Sequence, residues 1–174
     1  MESDLKAKRN TWGEKTVKLA QIEEELHRMV KEIFSRTVPR YYEHTLKVVA
    51  NMKDAMKEID DQEDKTILLL TAYLHDIGYS VAYRGDYVGN IDSQSLKTRL
   101  HSDVGVNVAE EILKTIGMEP EIIKKVSYLV SVHHREDIED RYLKVLLQAD
   151  KVWTPNRSLE AKPTRMGGGQ EEVG

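Results

Sequence analysis

The residues of this chain best suited to chemistry are histidines and aspartates, and several lie where apolar side chains are expected. Each falls in register with aliphatic residues at the three-, four- or seven-residue spacing of one helix face, with the first at the edge of its face. These residues are His44, His75, His101, His133 and Asp150. Asp76 directly follows His75, at the end of an apolar run that begins at Ile67. The spacing predicts that these imidazoles and carboxylates point inward.

Inward polar groups of this kind leave two interpretations open. A buried polar group is costly unless it is paired, so a single inward histidine is usually a hydrogen-bonded core residue. Several of them on different helices either scatter through the core, each with its own partner, or converge. If they converge, they form the imidazole and carboxylate cluster with which helix bundles bind metal ions.

The elements that must position these groups are helices. Helical periodicity covers most of the chain, which has only ten glycines and four prolines. Helices are predicted over residues 12–36, 39–59, 64–76, 101–117, 119–133 and 139–153. The third is apolar almost all round, which is typical of a helix in the centre of a bundle. We therefore predict an all-α, single-domain bundle of about six helices.

The chain divides into three expected parts. Residues 1–37 are predicted to form an N-terminal helix that packs on the bundle, and residues 38–153 the domain that carries the histidines and aspartates. Residues 154–174 are rich in proline and glycine with few apolar side chains, and we expect a flexible tail.

The segment 78–100 is the one long stretch inside this domain without a helical pattern. Loops longer than about 12–15 residues are usually functional or disordered. Because its ends adjoin Asp76 and His101, we expect a mobile lid over the site, with Arg84 pairing with a phosphate. An ordered surface loop without ligand contact is the alternative.

Composition excludes several classes of protein. The 174 residues carry 26 basic and 30 acidic side chains, and a net charge of −4 does not favour stable nucleic-acid binding. The absence of cysteine excludes disulfides and thiolate zinc sites. No apolar run approaches the roughly 20 residues that span a bilayer, and no signal peptide is visible. We expect a cytoplasmic protein without membrane contact, and homo-oligomerisation stays open.

The ordered set of histidines and aspartates resembles the HD-domain superfamily of metal-dependent phosphohydrolases. The signature of that superfamily is an early His, a His-Asp doublet that ends an apolar helix, and a late Asp. The corresponding stretches here are "YYEHTLKVV", "TAYLHDIGY" and "LLQADKVW". Two further stretches, "HSDVGVNVAEEIL" and "VSYLVSVHHRED", are similar to those of members that carry two metals. The resemblance covers about residues 38–153.

The resemblance implies a site for one or two divalent transition-metal ions. It assigns the first metal to four side chains, namely His44, His75, Asp76 and Asp150. It assigns the second to Asp76, His101, His133 and His134, although His134 is equally well interpreted as a solvent-facing residue. Asp76, the bridging ligand, is the expected catalytic residue. Imidazole and carboxylate ligands without thiolate suit Fe, Mn, Co, Ni or Zn. His27 fits no part of the pattern and is interpreted as a surface histidine.

The implied function is hydrolysis of a small phosphorylated substrate, with a nucleotide as the expected type. Many relatives continue "HDIG" with Lys, whereas Tyr79 stands here, so phosphate contacts must come from elsewhere or be missing. The candidates are Lys47, Arg84, Lys97, Arg99 and Lys151, each of which is otherwise a solvated surface charge. The alternatives are a nucleotide- or metal-sensing regulatory domain without turnover, and a di-iron oxygenase.

Overall fold

The structure is a computed structural model that describes residues 2–82 and 94–151, with side chains described for 18–81 and 101–151. These residues form helices joined by short turns, and no strand occurs among them. The helices are α1 Glu2–Ser35, α2 Pro39–Ala55, α3 Gln62–Leu74, α4 Tyr79–Ala82, α5 Gln94–Thr115, α6 Pro120–Val132 and α7 Arg141–Lys151. A 3₁₀ turn, Met56–Glu58, follows α2. The predicted all-α class is confirmed.

Local sequence fixes several of these helix ends. Pro39 and Pro120 stand in the first turns of α2 and α6, where a missing N–H costs nothing. The Asp61 side chain accepts a 2.9 Å hydrogen bond from the backbone N–H of Asp64 and so caps α3. Gly117 follows α5 with a φ of 73°, the left-handed conformation that glycine adopts after a helix.

Helix α3 passes through the centre of the bundle. Every side chain from Ile67 to Leu74 is buried, and the helix contacts α1, α2, α6 and α7. Helix α1 packs against α2 and α3 through side chains that include Leu26, Val30 and Phe34, all fully buried. The central position of α3 brings its C-terminal end into the interior, where His75 and Asp76 follow.

Three predicted boundaries are wrong by more than two residues. Helix α1 begins at Glu2 instead of residue 12, because the first ten residues are mostly strong helix formers. Helix α2 ends at Ala55, and the 3₁₀ turn replaces its predicted last turn. Helix α5 begins at Gln94, which places His101 inside the helix instead of at its start.

The early start of α5 follows from residues 94–100. This stretch has no glycine or proline and carries Leu96 and Leu100 four residues apart. Helix α4 also lies within the segment that was predicted to lack helix. The predicted lid segment, 78–100, is helical at residues 79–82 and 94–100, and its residues 83–93 lie outside the described residues, as does the tail 154–174.

Candidate metal centre

The structure brings the inward histidines and aspartates together at one place in the bundle. His75 is the C-cap residue of α3 and His133 that of α6, with Asp76 and His134 directly after them. The remaining members lie within helices α2, α5 and α7, and they are His44, His101 and Asp150. Five helices therefore contribute to the cluster.

A close crossing of two backbones allows His101 to reach the end of α3. A Cβ atom built on Gly78 would lie 1.8 Å from the carbonyl oxygen of His101 and 2.8 Å from the backbone nitrogen of Gly105. Only a residue without a side chain fits at this position. Gly78 therefore lets α5 approach α3 closely enough for His101 to face Asp76.

One group of side chains gathers around His44. Its Nε2 atom lies 3.2 Å from Nε2 of His75, 3.3 Å from Oδ2 of Asp76 and 3.1 Å from Oδ1 of Asp150. His75 Nε2 lies 3.6 Å from Oδ2 of Asp76 and 3.9 Å from Oδ1 of Asp150. Two imidazoles and two carboxylates therefore point their ligand atoms at one small volume.

A second group gathers around His101. Its Nε2 atom lies 3.2 Å from Nε2 of His133 and 2.9 Å from Nε2 of His134. The Oδ1 atom of Asp76 is 3.7 Å from His101 Nε2 and 3.4 Å from His133 Nε2. His134 is exposed at the end of its helix, as the solvent-facing interpretation expects, and its Nε2 atom also points into the cluster.

The Asp76 carboxylate joins the two groups. Its Oδ2 atom faces His44 and His75, while its Oδ1 atom faces His101 and His133. Because a carboxylate has two oxygens on one carbon, this orientation is the one in which it can bridge two cations.

Hydrogen bonds to the backbone fix two of the imidazoles. Nδ1 of His75 lies 2.9 Å from the carbonyl oxygen of Ala72, and Nδ1 of His133 lies 2.6 Å from that of Val130. A carbonyl only accepts, so Nδ1 carries the proton in both rings. When these rings are neutral, their Nε2 atoms present lone pairs to the cluster, as in metal-binding imidazoles.

The charges within the cluster are strongly coupled. Burial opposes ionisation of Asp76, yet the neighbouring imidazoles of His75, His133 and His44 hold its pKa well below the usual range. Burial alone would lower the pKa of His44, but hydrogen bonds to Asp150 and Asp76 raise it to about 9.

The pKa values of two other histidines shift in the opposite direction. Burial lowers the pKa of His75, and burial together with His133 and His101 lowers that of His134. A buried carboxylate next to a neutral imidazole, as Asp76 is next to His75, is suited to bind a cation, because the cation would offset the charge that burial disfavours.

The side chains of the cluster are chemically suited to bind metal ions. Two groups have ligand atoms close enough to hold one ion each, namely His44, His75 and Asp76, and Asp76, His101, His133 and His134. All ligand atoms are imidazole nitrogens or carboxylate oxygens, which suit borderline transition metals. Asp150 adjoins the first group through its contacts with His44 and His75.

The structure describes the side chains of only two of the five predicted phosphate contacts. Lys47 is exposed on α2, one turn after His44. Lys151 is also exposed, and its ammonium group lies 3.0 Å from a carboxylate oxygen of Glu136. Arg84 lies outside the described residues, as do the side chains of Lys97 and Arg99.

Two features near the cluster were missed by sequence reasoning. Tyr79 stacks directly on the imidazole of His101, a contact made between α4 and α5 that no local pattern indicates. His27 is not a surface histidine, because it is half-buried and its Nε2 atom lies 2.6 Å from the hydroxyl of Tyr42. Its alignment with Val30 and Phe34, three and seven residues later, would have indicated this burial.

An all-α bundle with a central cluster of histidines and aspartates defines a class of candidate metalloproteins. Comparison with known protein families identifies the family within this class. The family model described as "HD domain" matches residues 41–162, well over half of the chain. The chain therefore belongs to the HD domain family. Neither the curated proteins nor the solved structures gave a match. Within the described residues, no helix is long and apolar enough to cross a membrane.

Membership of the HD domain family indicates a general class of function. HD domains form a superfamily of mostly metal-dependent phosphohydrolases that bind divalent metals. The buried His and Asp groups of this chain could hold such a metal.

Proposed function

We propose that this protein is a two-metal phosphohydrolase that cleaves a phosphate ester of a small, nucleotide-type substrate. The observation that carries the proposal is the orientation of Asp76, whose two oxygens face two different groups of histidines. A site for one ion would not require both oxygens to face separate sets of imidazoles.

The proposed ligands follow from the two groups. His44, His75, Asp76 and Asp150 would hold the first ion. Asp76, His101, His133 and His134 would hold the second. The Nδ1 hydrogen bonds of His75 and His133 support this assignment, because they direct the Nε2 lone pairs inward.

The chemistry follows from this arrangement. Divalent ions bound here would supply a water of lowered pKa and would neutralise charge on the phosphate oxygens. Asp76 stays ionised, because its pKa is held low, and so keeps the negative charge that both positions share. The packed helices around the buried imidazoles hold these rings in place.

The substrate is expected to enter on the side of His134 and Asp150. His134 is exposed and the Asp150 side chain is 28% exposed, whereas His44, His75, Asp76, His101 and His133 are all buried. Lys151 follows Asp150 and supplies a basic group on that side. With Lys47, Arg84, Lys97 and Arg99, it remains a proposed phosphate contact.

A substrate screen tests the proposal. Protein loaded separately with Mn, Fe, Co, Ni or Zn is incubated with nucleotides, dinucleotides and simple phosphate esters, and phosphate release is measured with and without oxygen. We expect metal-dependent hydrolysis of at least one substrate class. Asp76→Asn should abolish it, whereas Asp54→Asn, a matched change at an exposed carboxylate paired with Lys57, should not.

Two outcomes would overturn the proposal. Tight nucleotide binding without turnover by any metal form would identify a regulatory domain. Oxygen consumption that depends on bound iron, without phosphate release, would identify an oxygenase.

A further inference from the structure

A ladder of stacked rings runs from the proposed metal centre to the N-terminal helix. The rings of His101 and Tyr79 have centroids 3.8 Å apart and an angle of 12° between their planes. Tyr79 and Tyr41 follow at 4.1 Å and 20°, and Tyr41 and Phe34 at 6.4 Å and 23°. We call these four residues the aromatic ladder.

The ladder is held on both sides. Phe34, at its outer end, is fully buried in the core, and Tyr79 is only 8% exposed. Tyr79 directly follows Gly78, whose close contact with the backbone of His101 and Gly105 fixes α4 against α5. The tyrosine ring therefore has little freedom to leave the face of the imidazole.

The ladder also connects the two halves of the proposed metal centre, which we call half-sites: the ligands of the first ion around His44 and those of the second ion around His101. Tyr41 lies on α2, three residues before His44, whereas His101 lies on α5. Tyr79 lies between them, with one face on Tyr41 and the other on His101. The distance between α2 and α5 at the site therefore depends on the thickness of a ring at this position.

We infer that Tyr79 is a positioning residue, whose ring sets the orientation of the His101 imidazole toward the second metal position. The inference rests on the proposed function, because it takes His101 to be a ligand. An imidazole turned away from its ligand geometry binds a metal more weakly, and residues that orient ligands commonly contribute 10–100-fold to affinity. A flat ring 3.8 Å from the imidazole blocks rotation out of the observed plane.

The first experiment measures metal affinity. Protein freed of metal is titrated with Co²⁺, and the visible absorption of the bound ion separates the two sites. We expect Tyr79→Leu to weaken the second site by about 10–100-fold while the first site is unchanged. Tyr79→Phe keeps the ring and should stay within about threefold of the wild type.

A matched control is Tyr128→Leu, which removes a tyrosine that is 41% exposed on α6. It should leave both sites unchanged. If Tyr79→Phe weakens the second site as much as Tyr79→Leu, the hydroxyl group carries the effect and the stacking inference is wrong. If Tyr79→Leu binds the second Co²⁺ as tightly as the wild type, the inference is also wrong.

A metal-free measurement separates this inference from the proposed function. In the wild type, the ring of Tyr79 should shift the NMR resonances of the His101 ring protons upfield, and Tyr79→Leu should remove that shift. Unchanged His101 resonances in folded Tyr79→Leu would overturn the ladder even in protein that binds no metal. A wild type that binds no second Co²⁺, with the His101 shift present, would overturn the proposed function and leave the ring stack established.

Folding of the variants is checked by circular dichroism. If Tyr79→Leu does not fold, Tyr41→Leu replaces it in both experiments, because it removes the support on the far face of Tyr79. It should weaken the second site relative to Tyr128→Leu. Equal affinities in these two variants would contradict the inference.

Discussion

Replacing Gly78 with alanine should damage one half of the proposed site and leave the other intact. The added Cβ would lie 1.8 Å from the carbonyl oxygen of His101, whereas ordinary contact begins at 3.4 Å. The obstructing atoms belong to the backbone of α5, which cannot give way as a flexible side chain would. Helix α5 must therefore move away from the end of α3, and His101 moves with it.

The magnitude follows from this displacement. The overlap is about 1.6 Å, and overpacking of a core typically costs 1–3 kcal/mol, occasionally more. We place Gly78→Ala at the upper end, about 3 kcal/mol, because two backbones must separate. For a chain of this length that corresponds to a fall in Tm of about 6–12 °C. The second metal should be lost, because a shift of this size breaks the ligand geometry.

Thermal unfolding and metal analysis check this expectation against two matched glycine variants. At Gly105, a Cβ would lie 3.3 Å from the backbone nitrogen of Gly78, so Gly105→Ala should change stability by less than about 1 kcal/mol. At Gly117, φ is 73° and nothing lies within 4 Å. Gly117→Ala should therefore cost about 1–2 kcal/mol from the backbone alone and keep both metals.

A Gly78→Ala protein with wild-type stability and two bound metals would refute this reasoning. It would mean that α5 can retreat from α3 without moving His101. Loss of the first metal as well would show that the two half-sites are not separable.

Three further expectations concern the site and its surroundings. Asp76→Asn should lose both metals and all hydrolysis, as measured by metal analysis and phosphate release, because it removes the shared charge. In metal-free protein, His44 stabilises the fold when it is protonated, because its pKa is raised on folding. This contribution, at most about 3 kcal/mol, is fully present below about pH 6.5 and is lost as the pH rises through about 9. Urea unfolding at about pH 6.5 and pH 10 should show a smaller difference in His44→Gln than in the wild type. Tyr73→Phe removes a 3.0 Å hydrogen bond to Glu23 and should cost about 1 kcal/mol in urea unfolding without changing metal content.

The inward orientation of the histidines and aspartates can be predicted from the sequence for a physical reason. A residue in register with an apolar helix face must point inward, so His101 and His133 could be placed without knowledge of the fold. The apolar character of Ile67–Leu74 likewise identified the central helix, and with it the interior position of Asp76. Spacing did not decide between scattering and convergence, because that depends on how the helices pack.

Other features depend on tertiary contacts that no local pattern encodes. The stacking of Tyr79 on His101 exists because Gly78 brings α3 and α5 together, and the sequence shows only a tyrosine after a glycine. The role of His27 depends on how α1 lies against Tyr42 of α2. The sequence pattern puts the start of α5 too late, because the glycines of the preceding segment obscure a helix-forming stretch from Gln94 onward.

The metal content of the purified protein tests the central claim most directly. Protein prepared without chelators and saturated with a divalent transition metal is measured by mass spectrometry of the elements, together with His101→Ala. We expect two ions per chain in the wild type and one in His101→Ala, because only the second group of ligands contains His101. A wild type that holds one ion or none at saturation, or a His101→Ala protein that keeps two, would contradict it.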